Sequence, residues 1–402
     1  MKNHDFHNVI RLGLERIEMM LELLDRPDRK LKFVHVAGTN GKGSTCAFIE
    51  SALISEGKKV GKFTSPNLVS VNERICVSGK DISDSDLERV LGRAEACADE
   101  VEKVRGERPT QFEIWCAAAM LYFAEENCDI VVLEVGLGGE FDATNIIESC
   151  EVAVICRIEY DHMGYLGNTL REIAKAKCGI IKENISTKTV VTGTQCDEAM
   201  ALIKESADKF GHRLVCANVP SPANHSGIYE HFTYKGDTFP LSLGGTYQLE
   251  NAATSVLALE ALGVSDESVK YGLTHAKHRA RFEEIDKGTI FDGGHNPDGI
   301  RALVSSAKRY FDSKKIRIIY ACMADKDIKN VLLHLKEIAH EFVFTTVSDN
   351  PRAMTPEALC NFAKDECLIE GKCFDNLDAA RKSATDADVT IICGSLYLYG
   401  DL

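Results

Sequence analysis

The sequence predicts an α/β protein of two domains, and three observations carry that expectation. Residues 33–37, Phe-Val-His-Val-Ala, form a short apolar run that opens into a glycine-rich loop and then a helical stretch over about 44–56. Continuous apolar runs alternate with helical stretches along most of the chain, which is the pattern of a parallel sheet covered on both faces. After a basic connector at 275–281 a second alternation begins. The expected division is 1–280, a parallel-sheet ATPase domain of phosphate-loop type, and 281–402, a smaller Rossmann-like α/β domain.

Taken in order, residues 5–24 read as an amphipathic helix, with Ile10, Leu14, Ile17, Leu21 and Leu24 at helical spacing. Strands are expected at 33–37, 60–64, 130–135, 152–155 and 189–192, with helices at 113–126 and 169–180 among the connections. Residues 220–243 change character. Tyr229, Phe232, Tyr234 and Phe239 stand among Gly, Pro and polar residues, which suggests antiparallel hairpins at a domain edge. A helix over 251–262 follows, and the second domain is expected to place strands at 289–292, 316–321, 342–346 and 389–393.

At 402 residues and 45% hydrophobic content, the chain is long enough for two cored domains. Its 61 acidic against 47 basic residues give a formal charge of -14, which opposes binding to nucleic acid or to an acidic membrane face. Any phosphate chemistry must then rest on a local site. No apolar stretch reaches signal or membrane-spanning length, so the chain reads as soluble and cytoplasmic. Its 15 cysteines are an odd number with none at C-x-x-C spacing, which argues against a disulfide framework or a zinc ribbon. Cys178, beside Lys177, reads as a packing residue.

The loop Gly38-Thr39-Asn40-Gly41-Lys42-Gly43-Ser44-Thr45 lies between strand and helix. Backbone N–H groups there can cradle phosphates while Lys42 reaches the terminal ones. The spacing departs from the usual loop, with two residues between Gly38 and Gly41 and with Gly43 separating Lys42 from Ser44. A purely structural glycine turn is the alternative. Glu134 ends an apolar run, where α/β proteins place ligands, and beside a phosphate loop its hard oxygens suit Mg²⁺.

Many ordered segments make the chain resemble the folylpolyglutamate synthase/dihydrofolate synthase branch of the Mur ligase superfamily. They are Gly13-Leu14-Glu15-Arg16; the phosphate loop; Thr64-Ser65-Pro66 with Asn72-Glu73-Arg74; Leu133-Glu134-Val135-Gly136-Leu137-Gly138-Gly139 with Asp142-Ala143-Thr144-Asn145; Asp161-His162; Lys177-Cys178-Gly179-Ile180; Gln248 with Asn251-Ala252; Arg281-Phe282-Glu283; Asp292-Gly293-Gly294-His295-Asn296-Pro297; and Gly394-Ser395-Leu396-Tyr397. The resemblance implies ATP contacts from Thr39, Asn40, Gly41, Lys42, Gly43 and Ser44, joined by Asn251, Arg281 and Asp292 in a cleft between domains. It adds Ser65 and His162 to Glu134 as ligands of Mg²⁺, two ions in all, and a carbamylated Lys177 that helps hold the second. Lys42, Lys177 and His295 form the implied catalytic set. Phe112, Asp142 and Ala143 match pterin contacts, although Phe112 also reads as core and Asp142 as a helix N-cap. Two departures bear on substrate preference: Asn67 stands where many members have His, and Glu140 where many have Arg.

The implied activity is ATP-dependent addition of L-glutamate to a folate carboxylate, with dihydropteroate as a further candidate acceptor, through an acyl phosphate. The partners implied are small molecules, with no nucleic acid or membrane, acting on a monomer. A cell-wall amino-acid ligase of the same superfamily would need a UDP-substrate domain before the loop, for which residues 1–36 are too short. A phosphate-loop kinase or switch NTPase would share the loop but not the ordered acidic, His and Lys elements. A nucleotide-binding module without catalysis would not need Lys42, Glu134 and Lys177 together.

Overall fold

The computed structural model describes residues 11–402, so the first residues of the expected N-terminal helix lie outside it. Within the described residues that helix runs Glu15–Leu23. The described residues before it, 11–14, are not helical, and Gly13 takes φ +129°, a conformation that cannot propagate a helix.

The chain divides into two compact units, 1–219 with 250–276, and 220–249 with 277–402. The first is built on β1 (Phe33–Ala37), β2 (Val60–Phe63), β3 (Ile75–Val77), β4 (Lys80–Asp81), β5 (Ile130–Glu134), β6 (Val152–Ile155), β7 (Thr189–Thr192) and β8 (Arg213–Cys216). They lie in the order β4-β3-β2-β5-β1-β6-β7-β8. From β2 to β8 every pairing is parallel, and β3 and β4 add an antiparallel edge. All five residues of β1 and of β5 are buried, as a sheet covered on both faces requires. Phe33 and Ala37 join the core with Glu15–Leu23, Asp84–Arg105 and Gln111–Glu125; the helix Lys42–Ser55 packs against Asp266–His275. The chain leaves β1 for β2 on one side of β5 and later reaches β6 on the other side of β1. The glycine loop therefore follows a strand at the topological switch point, where α/β sheets open a crevice for ligands.

The second unit holds β9 (His225–Ser226), β10 (Tyr229–Tyr234) and β11 (Asp237–Pro240) as a three-stranded antiparallel sheet. It also holds β12 (Glu283–Asp286), β13 (Thr289–Asp292), β14 (Ile316–Tyr320), β15 (Ala339–Phe344), β16 (Lys372–Cys373) and β17 (Val389–Cys393), ordered β12-β13-β17-β14-β15-β16. Only β12 runs antiparallel in that sheet. The hairpins at 220–243 thus belong with the second unit and not with residues 1–280. The cause is packing. Ile228 sits in the second unit's core, and the fully buried Glu230 carboxylate accepts from Arg309 Nε at 2.5 Å and Tyr310 OH at 2.8 Å. A carboxylate without water needs such partners, so the hairpin is fixed where they are. Among the described residues no helix is long and apolar enough to cross a membrane.

Candidate active site

The glycine loop is clamped from one side. Thr39 N–H donates to the Arg157 carbonyl at 2.8 Å, and the Thr39 hydroxyl exchanges hydrogen bonds with the backbone of Glu159 at 2.9 and 3.0 Å. Gly41 caps the helix Lys42–Ser55 with φ +89° and brings no side chain to its first N–H groups, which leaves that helix end suited to an anion. A Cβ at Gly41 would lie 2.2 Å from Asn251 Oδ1, so the buried Asn251 is packed directly on the loop.

Lys42 turns back over its own loop, with Nζ 3.1 Å from the Gly38 carbonyl oxygen and 3.2 Å from that of Thr39. Lys177 is buried in the helix Leu170–Cys178 and donates to the same Gly38 oxygen at 2.9 Å. Burial first, and then the charge of Lys42, push the Lys177 amine down to about 7. The segment 138–140 lies against the end of that helix: Glu140 N–H donates to the Ala176 carbonyl at 2.7 Å, and a Cβ at Gly179 would fall 2.4 Å from Glu140 Cα. The close approach of these two glycine-bearing segments holds Lys177 beside the loop.

Glu134 ends β5, one position from the loop strand, and its buried Oε2 accepts the Ser65 N–H at 3.1 Å. His162 starts the short helix Met163–Leu166 in a left-handed conformation, with its N–H on Asp161 Oδ1 at 2.8 Å. Its side chain is 42% exposed. Among the described residues no three His, Cys, Asp or Glu side chains are gathered as a preformed metal site. The donors still suit Mg²⁺, which takes one or two carboxylates and completes its shell with phosphates and water.

Phe112 packs 5.7 Å from Phe63 and lies over Gly136, where a Cβ would meet its ring at 2.5 Å. Asp142 does cap the short helix Ala143–Ile146; its carboxylate accepts from Thr144 N–H at 3.0 Å, Thr144 OH at 2.5 Å and Leu137 N–H at 2.8 Å. Burial raises its pKa, and these hydrogen bonds oppose the rise. Ala143 is buried beside it. Asn67 Oδ1 accepts from Arg74 Nε at 2.8 Å, while that guanidinium lies 5.3 Å over the Trp115 ring.

In the second unit Arg281, Asp292 and His295 share one neighbourhood. Buried Asp292 accepts from Tyr247 OH at 2.6 Å, Phe282 N–H at 3.0 Å and Gly294 N–H at 2.7 Å. Three of about four acceptor positions on a carboxylate are thus committed within the fold. Arg281 adds a nearby charge that opposes the rise burial causes in the Asp292 pKa. His295 Nδ1 donates to the Gly293 carbonyl at 3.0 Å. Sequence reasoning quoted Asp161 beside His162 but gave it no role, and its charge acts on Lys177; it passed over Arg157 and Glu159, which hold Thr39. Only Asp161 left a signal, through its place before His162.

Fold and loop together define a phosphate-loop, nucleotide-binding α/β protein. The middle-domain model of the Mur ligases matches residues 36–259, and their glutamate ligase domain model matches 280–396. The chain is 36% identical to the dihydrofolate synthase/folylpolyglutamate synthase of Bacillus subtilis, over 98% of this chain and 94% of that one. It superposes on Escherichia coli FolC in complex with DHPP and ADP with TM-score 0.83 and 31% identity, covering 97% and 92% of the two chains. A bifunctional folylpolyglutamate synthase/dihydrofolate synthase with Mn, AMPPNP and L-glutamate bound gives 0.81 and 30%, covering 98% and 94%. The chain belongs to the Mur ligase family, in its dihydrofolate synthase/folylpolyglutamate synthase branch.

Proposed function

We propose that this protein is an ATP-dependent ligase that joins L-glutamate to the carboxylate of a reduced folate or of dihydropteroate through an acyl phosphate. The observation that carries this beyond simple nucleotide hydrolysis is the second lysine. A phosphate loop needs Lys42 alone, yet Lys177 is buried against the same carbonyl with its amine held to about 7.

The substrate carboxylate attacks the terminal phosphorus of ATP; one P–O bond forms, and the bond to ADP breaks. Lys42 and the N–H groups of Gly41, Gly43 and Ser44 offset the charge on the transferred group, with Thr39 and Asn40 shaping the loop. The amine of glutamate then attacks the acyl carbon, loses a proton and expels phosphate. Ser65, Glu134 and His162 would hold Mg²⁺, which when bound screens the phosphate oxygens. With its amine about half neutral near pH 7, Lys177 is able to add CO₂ with loss of a proton, which would give an oxygen donor able to help hold a second ion. Asn251 in the first unit and Arg281, Asp292 and His295 in the second complete the nucleotide and catalytic assignments. Asp292 contributes mainly by fixing the turn that carries His295. Phe112 and the Asp142-Ala143 pair are assigned to the pteroyl group, a stacking face and a rigid loop.

We place the protein in the cytoplasm as a monomer acting on small molecules. Its fifteen cysteines are all free thiols, and its charge of -14 disfavours polyanions. The test is product formation by purified protein with ATP, Mg²⁺ and glutamate, with dihydropteroate and tetrahydrofolate supplied separately. Ligated product from either supports the proposal. ATP turnover that ignores glutamate would return the chain to a simple NTPase.

A further inference from the structure

A fully buried imidazole lies between the phosphate-loop strand and the loop assigned to the pteroyl group. His35 is the middle residue of β1 and is 0% exposed. Its Nε2 is 3.0 Å from Thr144 Oγ1, and Thr144 Oγ1 is in turn 2.5 Å from Asp142 Oδ1. The direction of these bonds follows from proton counting. An ionised carboxylate only accepts, so the single hydroxyl proton of Thr144 goes to Asp142, and the other contact must be donated by His35 Nε2–H. The neutral ring then leaves Nδ1 as a bare lone pair, and that atom has no hydrogen-bond partner among the described residues.

We infer that His35 and Thr144 are positioning residues: a fixed relay from His35 Nε2–H through Thr144 OH to Asp142 ties the loop 136–144 to the strand that carries the phosphate loop. Burial and the charge of Lys182 hold the imidazole neutral, down to about 3, so the relay keeps one protonation state over the working range. Asp142 is the hub. Through Leu137 N–H and Thr144 N–H it sets the backbone on which Gly136 supports Phe112. A histidine that were only core filling would have no reason to carry an orphaned polar atom, since leucine fills similar space without one.

The inference rests on the assignment of Phe112, Asp142 and Ala143 to the pteroyl substrate, and its test separates the two. His35→Leu and Thr144→Val remove the relay at near-constant volume; His35→Gln and Thr144→Ser keep a donor and a hydroxyl. The expected result is a KM for the pteroyl substrate raised about tenfold in the first pair, the order for a lost hydrogen bond to a charged group, with KM for ATP unchanged and the second pair near wild type. Phe112→Leu should raise the same KM. Selective ¹⁵N-histidine spectra of the unaltered protein, assigned with His35→Gln, should find His35 protonated at Nε2. An Nδ1–H tautomer would overturn the relay even if a variant failed to fold. Unchanged KM in His35→Leu and Thr144→Val, with Phe112→Leu impaired, would overturn it too. If Phe112→Leu also binds normally, the substrate assignment has failed, and the inference falls with it.

Discussion

Lys42 and Lys177 donate to one carbonyl oxygen, that of Gly38, at 3.1 and 2.9 Å. Burial lowers the basicity of Lys177, and repulsion from the Lys42 ammonium on the same acceptor lowers it further. The arrangement has two consequences that can be measured separately, one for each lysine.

Lys42 is a point charge aimed at the transferred phosphoryl group. Lys42→Ala is expected to lose at least about a thousandfold in turnover, on the scale of removing a charge-stabilising group from a phosphoryl-transfer site. Circular dichroism and melting temperature should stay near wild type, because the side chain is only part-buried and bonded to its own loop. Near-normal turnover by a folded variant contradicts the assignment.

Lys177 should behave as an amine that takes up CO₂. Its lowered pKa means that the unfolded chain binds a proton the folded one lacks between about 7 and 10.5, so its contribution to stability rises with pH across that window and is flat below it. In CO₂-free buffer, Lys177→Met should abolish this part of the rise, read as the difference between wild-type and variant denaturation curves. ¹³CO₂ labelling of the wild type should increase as pH passes through about 7. Lys177→Arg, always charged, should be inactive. A fully active arginine variant would return the residue to a structural role.

Glu134→Gln keeps the shape and the Ser65 contact while removing the charge. The Mg²⁺ concentration for half-maximal activity should rise about tenfold or more, and kcat should fall, as for loss of a principal metal carboxylate. An Mg²⁺ titration that overlays the wild-type curve would exclude Glu134 as a ligand.

Tyr247→Phe strips one donor from the buried Asp292 carboxylate, leaving it Phe282 N–H and Gly294 N–H. A loss of about 1–3 kcal/mol is expected in urea unfolding, the range for an under-satisfied buried charge. Stability equal to wild type would mean that Asp292 is not the anchor of this turn.

The central strands were legible because full burial leaves an unmistakable apolar run: β1, β6, β7, β13 and β17 fall at the expected residues. Edges were not. β3, β4, β12 and β16 are short or polar, and their pairing is decided by tertiary neighbours rather than by their own composition. The helix Asp84–Arg105 also went unread, although its buried Leu87, Val90, Ala94, Ala98 and Val101 recur at helical spacing; small alanines and many charges mute the pattern. The hairpins at 220–243 were recognised as antiparallel, but which core they join depends on Glu230 meeting Arg309, some eighty residues on. For the site, the glycine loop and Glu134 carry their own chemistry in their spacing. His35 does not, because a single histidine in an apolar strand reads as core until Thr144 is seen against it.

The most direct test follows one oxygen atom. With pteroyl substrate labelled with ¹⁸O in the reacting carboxylate, ATP, Mg²⁺ and glutamate, transfer through an acyl phosphate must carry one labelled oxygen into inorganic phosphate for every amide formed. The expected result is phosphate bearing a single ¹⁸O in step with ligated product. Unlabelled phosphate, released whether or not glutamate is present, would mean that water and not the carboxylate is the nucleophile, and would contradict the ligase account.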